Sequence, residues 1–196
     1  MFTGTTIICR TVFVCFVIIC GSLCCSPDSF PNNTANALHL FDCTPENQTK
    51  IVDIKWLQLK SDKTNLSYPI NVSNVWSLKL QITNHGKKID NLLMDVTCYQ
   101  WKMDEKLKRC SWQPLFTFGL TDDLEVCEWI DCPLEANTTV NAEVKFDAVE
   151  YASLIDPGLY SCHADLKNND KPRHVKLADF VPPPLGCSGY QSIIEV

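Results

Sequence analysis

The sequence predicts an all-β protein, an antiparallel β-sandwich of about seven or eight strands, and three observations carry that expectation. The first is alternation with a period of two. Trp76, Leu78, Leu80 and Ile82 alternate with Ser77, Lys79, Gln81 and Thr83, and Val140, Ala142, Val144 and Phe146 alternate with Asn141, Glu143 and Lys145. Successive side chains of a strand point to opposite faces, so such runs bury one face and wet the other. The second is turn chemistry at short intervals, as in Asn84-His85-Gly86 and Pro157-Gly158. The third is that no sustained 3.6-residue apolar period, repeat or heptad occurs anywhere in the chain.

In chain order, residues 1–25 hold one basic residue, Arg10, then an apolar run and the small-residue stretch Gly21-Ser22-Leu23-Cys24-Cys25-Ser26. The apolar core falls short of the roughly 18 residues of a comfortable membrane span, and residues 1–25 read as a cleaved signal peptide, with an uncleaved signal anchor over 7–25 as the rival reading. The expected location is therefore secreted or in a lysosomal or endosomal lumen. Of twelve cysteines, five sit in that leader, which leaves Cys43, Cys98, Cys110, Cys127, Cys132, Cys162 and Cys187 as disulfide candidates in an oxidising compartment. Seven is odd: either cleavage after Cys24 keeps Cys25, or one thiol stays free or bridges another chain. Sequons at Asn32, Asn47, Asn65, Asn71 and Asn137 agree with a secretory route and are candidate glycosylation sites. A formal net charge of -6 with no basic stripe excludes a nucleic-acid role.

Residues 26–39 are polar and rich in Pro and Asn and read as a flexible arm. The domain is expected over 40–182. Residues 51–59 form its first long strand and 60–68 a turn-rich loop. The strand at 76–83 follows, and its return at 89–99 buries Leu92, Met94, Val96 and Cys98. The charged run 102–109 is a solvated hairpin tip that Cys98 and Cys110 flank and could staple. Residues 112–120, with Trp112, Phe116 and Phe118, lack helical period and read as an irregular strand or flap at the mouth of the fold. Cys127 and Cys132 can pin a tight loop whose exit Pro133 marks. A strand at 159–166 follows Pro157-Gly158, and the final strand is 173–181, carrying Val175 and Leu177. Pro182-Pro183-Pro184 cannot join a ladder and ends it. Residues 183–196 are then a short tail holding Cys187.

The order Cys127, Cys132-Pro133-Leu134, alternating strand, Pro157-Gly158-Leu159-Tyr160 and charged hairpin at 167–171 resembles the second half of the ML family of lipid-recognition domains. That secreted group includes the Niemann-Pick type C sterol carrier and the ganglioside activator proteins. Asp42-Cys43 looks like the family's beginning, and Pro69 ahead of the Asn71-Val72-Ser73 sequon is similar to its ganglioside activator branch. The resemblance covers residues 40–181. It implies an immunoglobulin-like sandwich with an apolar cavity between the sheets, in which the protein holds a lipid and carries or presents it. The implied lipid is a sterol, phospholipid or glycolipid. A lipid-processing enzyme or receptor and transient membrane contact are the implied partners. The implied cavity residues are Trp76, Leu78, Leu80, Ile82, Met94 and Val96 with Trp112, Phe116 and Phe118, then Val140, Val144 and Phe146, and Tyr160, Val175 and Leu177. Two departures stand out. The family ties an N-terminal Cys to one in its last strand, yet 173–181 has none, so Cys43 is left to reach Cys162 or Cys187. Cys162 also stands where a hydrophobic residue is more usual.

That second departure supports a rival. Asp156-Pro157-Gly158-Leu159-Tyr160-Ser161-Cys162-His163-Ala164 also looks like immunoglobulin strand F with its tyrosine corner, in which Cys98 joined to Cys162 would pin the two sheets and Trp112 would pack on the pin. It implies an adhesion or receptor domain with a filled core. An enzyme is not expected. His39, His85, His163 and His174 are scattered with no nucleophile signature beside them, and Cys127 with Cys132 has no second close pair to complete a zinc site. No metal or other cofactor is expected.

Overall fold

The computed structural model describes residues 25, 29–63, 68–147, 149–170 and 182–196. The expected final strand at 173–181, with Val175, Leu177 and His174, lies outside the described residues, as do Asn65 and residues 1–24 of the expected leader. Among the described residues there are ten strands: β1 (His39–Asp42), β2 (Val52–Ser61), β3 (Ile70–Asn71), β4 (Val75–Asn84), β5 (Leu92–Asp104), β6 (Arg109–Pro114), β7 (Leu124–Glu125), β8 (Thr139–Asp147), β9 (Gly158–Asn168) and β10 (Pro184–Glu195). The larger sheet has the order β1-β10-β9-β5-β6, with β3 added to β10 and β7 to β5; the smaller is β2-β4-β8. Apart from the parallel β3–β10 pair, the pairings are antiparallel. The protein is thus an all-β, two-sheet antiparallel sandwich, as the alternation predicts.

The smaller sheet follows that alternation residue by residue. Trp76, Leu78, Leu80 and Ile82 are buried and stand opposite Phe146, Val144, Ala142 and Val140 of β8. Trp76 also donates its indole N–H to the Asn71 carbonyl at 2.7 Å. Facing them, β5, β9 and β10 turn one side inward: Met94 pairs with Leu166, Val96 with Ala164, and Cys98 with Cys162, which pairs onward with Tyr190. At one end the sheets interlock around Val52, Leu78, Leu80, Ile82, Leu92, Leu134 and Leu166. Tyr160 keeps the tyrosine-corner bond, its hydroxyl donating to the Asp156 carbonyl.

Three expectations are corrected. Residues 184–195 are not a tail but β10, paired with β9 on one side and β1 on the other. Its sequence lacks the bulky alternation of a strand because its neighbours crowd it. A Cβ on Gly189 would meet the Phe41 ring at 2.4 Å, and one on Gly186 would meet the Val52 carbonyl oxygen at 2.5 Å. Glycine in a strand marks such close approach. Residues 29–38 are not a free arm. Asn32 bonds the Gln191 side chain of β10, Thr34 is fully buried, and the Tyr68 hydroxyl donates to the Thr34 carbonyl while accepting the Ile193 N–H. Cys25, placed in the leader by the sequence reading, is joined to Cys110 on β6. Residues 29–38 are thus a strap held down on β10 and Tyr68 ahead of β1.

The remaining disulfides are Cys43–Cys187, Cys98–Cys162 and Cys127–Cys132. With Cys25 included all eight described cysteines pair, and the odd count disappears. Cys110 does not staple the hairpin tip to Cys98. Because Cys187 sits on β10, Cys43 is tied to the last strand after all, and the departure noted above came from misplacing that strand. Cys98 and Cys162 are register partners on adjacent strands of one sheet. They do not pin one sheet to the other, which removes the main support of the immunoglobulin reading.

Candidate functional site

The edge of the sandwich where β2 approaches β10 is closed at one end and open along the rest. At the closed end the Ile51 N–H donates to the Leu185 carbonyl at 2.7 Å. Further along, Trp56 of β2 meets Tyr190 of β10, with ring centroids 5.1 Å apart. Beyond that contact β2 carries a bulge: the pairing with β4 skips from Trp56 to Gln58, leaving Leu57 unpaired. A bulge re-aims a side chain, and bulges are over-represented beside binding sites. Here it leaves Leu57 51% exposed, at the wall of a groove of about 750 Å³ lined by Asn36, Ala37, Leu38, Leu57, Gln58, Leu59, Lys60 and Tyr68. That volume falls within the usual range for ligand clefts, roughly 300–1,000 Å³. Leu59 pairs with the buried Leu78 and belongs to the inner face, so the groove borders the inner side of β2 at that residue. One wall, residues 36–38, belongs to the strap that Asn32 and Thr34 hold down.

A second concavity, about 470 Å³, lies on the outer face of the smaller sheet and is lined by Gln58, Lys60, Ser61, Asp62, Val75, Ser77, Lys79, Glu143 and Lys145. Ser77 donates to a Glu143 carboxylate oxygen at 2.6 Å. That bond, with Lys79 and Lys145 nearby, holds the Glu143 carboxyl below its ordinary value against a smaller desolvation effect.

The implied cavity residues divide into four groups. Trp76, Leu78, Leu80 and Ile82 lie on the inner face and are buried, and Tyr160 shares that side. Met94, Val96, Val140, Val144 and Phe146 also face inward but are only half-buried, so the β5–β8 side is not sealed. Trp112 does not face inward. It pairs with Trp101, whose register parity is opposite to that of Cys98, and the two indoles stack edge to face at 5.2 Å on the outer side. Phe116 and Phe118 are 80% and 79% exposed and meet edge to face with centroids 4.5 Å apart, and Leu120 in the same loop is 74% exposed. Their loop, between β6 and β7, pouches out of the sheet edge because its two ends are pinned to β5 by the Leu115 N–H on the Cys98 carbonyl and the Val96 N–H on the Thr121 carbonyl.

Leu38, Leu57 and Tyr68 escaped the sequence reading. The run Trp56-Leu57-Gln58-Leu59 does break strict alternation, and that break is the trace a bulge leaves. On the outer face of the larger sheet a row of rings runs His39, Phe41, His163, Tyr99, with centroid spacings of 5.8, 5.3 and 5.3 Å. Ser161 Oγ lies 3.4 Å from His163 Nε2, but Ser161 is 3% exposed, which puts its hydroxyl out of reach of a substrate. Of the sequons, Asn47 and Asn137 are exposed turn residues, Asn32 ties the strap, and Asn71 caps a turn through the Ser73 N–H.

No protein-family model matches the sequence, and neither does any curated protein. Among solved structures the chain is distantly similar to a Niemann-Pick type C2 protein from the Japanese carpenter ant, at 12% identity and a TM-score of 0.44, covering 78% of this chain and 98% of that one. It is also similar to the C-terminal domain of wzt, at 6% identity and a TM-score of 0.43, covering 87% and 89%. A weaker likeness is to a β-glucosidase from Listeria innocua in complex with isofagomine, at 9% identity and a TM-score of 0.31, covering 74% of this chain and 16% of that one.

Proposed function

We propose that this chain is a secreted lipid-binding protein that takes an apolar chain into the groove beside β2 and carries or presents it. The observation that supports the reading is the groove itself, in which Leu38, Leu57 and Leu59 supply an apolar part of a lining completed by Asn36, Ala37, Gln58, Lys60 and Tyr68. Transfer of apolar area from water gives about 0.8 kcal/mol per methylene, so a single acyl chain supplies ample gross driving force. The Cys127–Cys132 clip and the Cys43–Cys187 tie to the last strand support the reading, since both belong to the residue pattern that resembles ML domains. Binding rather than catalysis fits the buried Ser161. Sterol, phospholipid and glycolipid remain the candidate classes, and a lipid-processing enzyme or receptor the candidate protein partner.

The exposed loop with Phe116, Phe118 and Leu120 is the surface we assign to transient membrane contact. A soluble monomer rarely leaves three large apolar side chains in five residues uncovered without use. Native mass spectrometry of protein purified from secreting cells, followed by organic extraction, tests the proposal. A co-purifying lipid that Leu57→Asp abolishes is the expected result. A protein that carries no lipid and takes none from vesicles sinks it.

A further inference from the structure

The two concavities are not separate. Gln58 and Lys60 line both, so the groove beside β2 and the concavity on the outer face of the smaller sheet share a rim. The register shows what waits there. Lys60 pairs with Ser77, which pairs with Lys145, so these three stand in a row across β2, β4 and β8. The next row is Gln58, Lys79 and Glu143. Adjacent strands lie about 4.8 Å apart, and a lysine carries its ammonium on a flexible four-carbon stem, so Lys60, Lys79 and Lys145 can converge on one point above Ser77. All three are exposed. Asp62 accepts the Val75 N–H and keeps its charge, so it and Glu143 are the two carboxylates of the lining. In a chain with a formal net charge of -6, a lining with three lysines against the two carboxylates Asp62 and Glu143 is a local excess of positive charge.

From this shared rim we infer that the ligand is an amphiphile with a compact oxyanion head group, a phosphate or sulfate ester, its chain in the groove beside Leu57 and its head held by Lys60, Lys79 and Lys145. This rests on the lipid-binding reading and names the ligand class it would take. Ammonium groups bind phosphate as point charges, and charged hydrogen bonds are the stronger kind. Glu143 opposes the head group. Its carboxylate lies 3.9 Å from the Lys79 ammonium and holds the Ser77 hydroxyl, so it competes for two of the groups the oxyanion would use.

Calorimetry on the mature chain tests the inference with three probes: palmitoyl lysophosphatidic acid, palmitoyl glycerol and inorganic phosphate. The expected result is that the anionic amphiphile binds about tenfold or more tightly than the neutral one, a difference of about 1.4 kcal/mol. That preference should vanish in Lys60→Gln/Lys79→Gln/Lys145→Gln, whose changes are all on an exposed sheet face, and should grow in Glu143→Gln. Leu57→Asp should weaken both amphiphiles. Equal binding of the two amphiphiles, untouched by the triple variant, overturns the head-group assignment and leaves the lipid reading standing. Inorganic phosphate binding as tightly as the amphiphile also overturns it, making the lysines a free-anion site. Failure of both amphiphiles to bind the folded protein removes the lipid reading and this inference with it.

Discussion

The two sheets of this sandwich are held by different means. In the larger one, Cys98–Cys162 bolts β5 to β9, Cys43–Cys187 ties the end of β1 to β10, and Cys25–Cys110 fastens the strap to β6. None of the four disulfides touches β2, β4 or β8, which depend on ladder hydrogen bonds and on packing against the other layer. Among the described residues the clips therefore do not join the two sheets: three act on the larger sheet and its strap, and Cys127–Cys132 closes a local loop. The sheet left without clips carries the bulge and the lysines and forms one side of the groove.

Breaking the packing of the smaller sheet should have the largest effect. Trp76 is 1% exposed and its indole N–H is bonded, so Trp76→Ala is expected to cost about 3–5 kcal/mol, read by urea unfolding. A loss under 1 kcal/mol would mean that packing contributes little to this layer. Next comes the larger sheet. Replacing Cys98 and Cys162 together by Ala opens a cross-link with a sequence separation of 64 and should cost about 2–4 kcal/mol. In native-state hydrogen exchange the β2, β4 and β8 amides should open at lower free energy than those of β9 and β10. The disulfide variant should narrow that gap, and equal protection of both sheets in the parent would refute the contrast.

Smaller effects come from titration. Burial pushes both Tyr190 and Tyr160 up to about 12, with the Asp156 charge adding to the effect at Tyr160. A raised phenol keeps its stabilising effect below the ordinary value near 10 and loses it as the pH climbs toward 12. Two tyrosines should therefore stay protonated in ultraviolet titration past pH 10 and ionise only as the fold gives way. The smallest expected effect is at Asp165, where burial and the Asp95 charge raise the carboxyl while His163 lowers it. A raised carboxyl penalises the folded state above its pKa, and the penalty fades on acidification. Asp165→Asn should raise the melting temperature by about 1–2 °C at pH 7 and leave it unchanged near pH 3.

The contrast also governs what was legible in the sequence. The smaller sheet shows one face to water and one to the core, so β4 and β8 wrote their alternation plainly and their inward residues fell where expected. β10 is paired on both sides beneath Phe41 and against Val52, and steric room left it Leu185-Gly186-Cys187-Ser188-Gly189-Tyr190, a composition that reads as a tail. Disulfide partners depend on which strands are neighbours, so misplacing β10 also hid the Cys43–Cys187 pair. The groove was hard to read for a related reason: the strap leaves no periodic trace, and the bulge leaves only the break in alternation at residues 56–59. Phe116 and Phe118 were expected to line or gate the interior, yet apolar type alone does not tell a core ring from a surface one.

The position of β10 also bears on how the chain is made. β1 leaves the ribosome early, but its partner begins at Pro184, more than a hundred residues later. Until β10 arrives, one edge of β9 and the whole of β1 stand open, a state prone to aggregation.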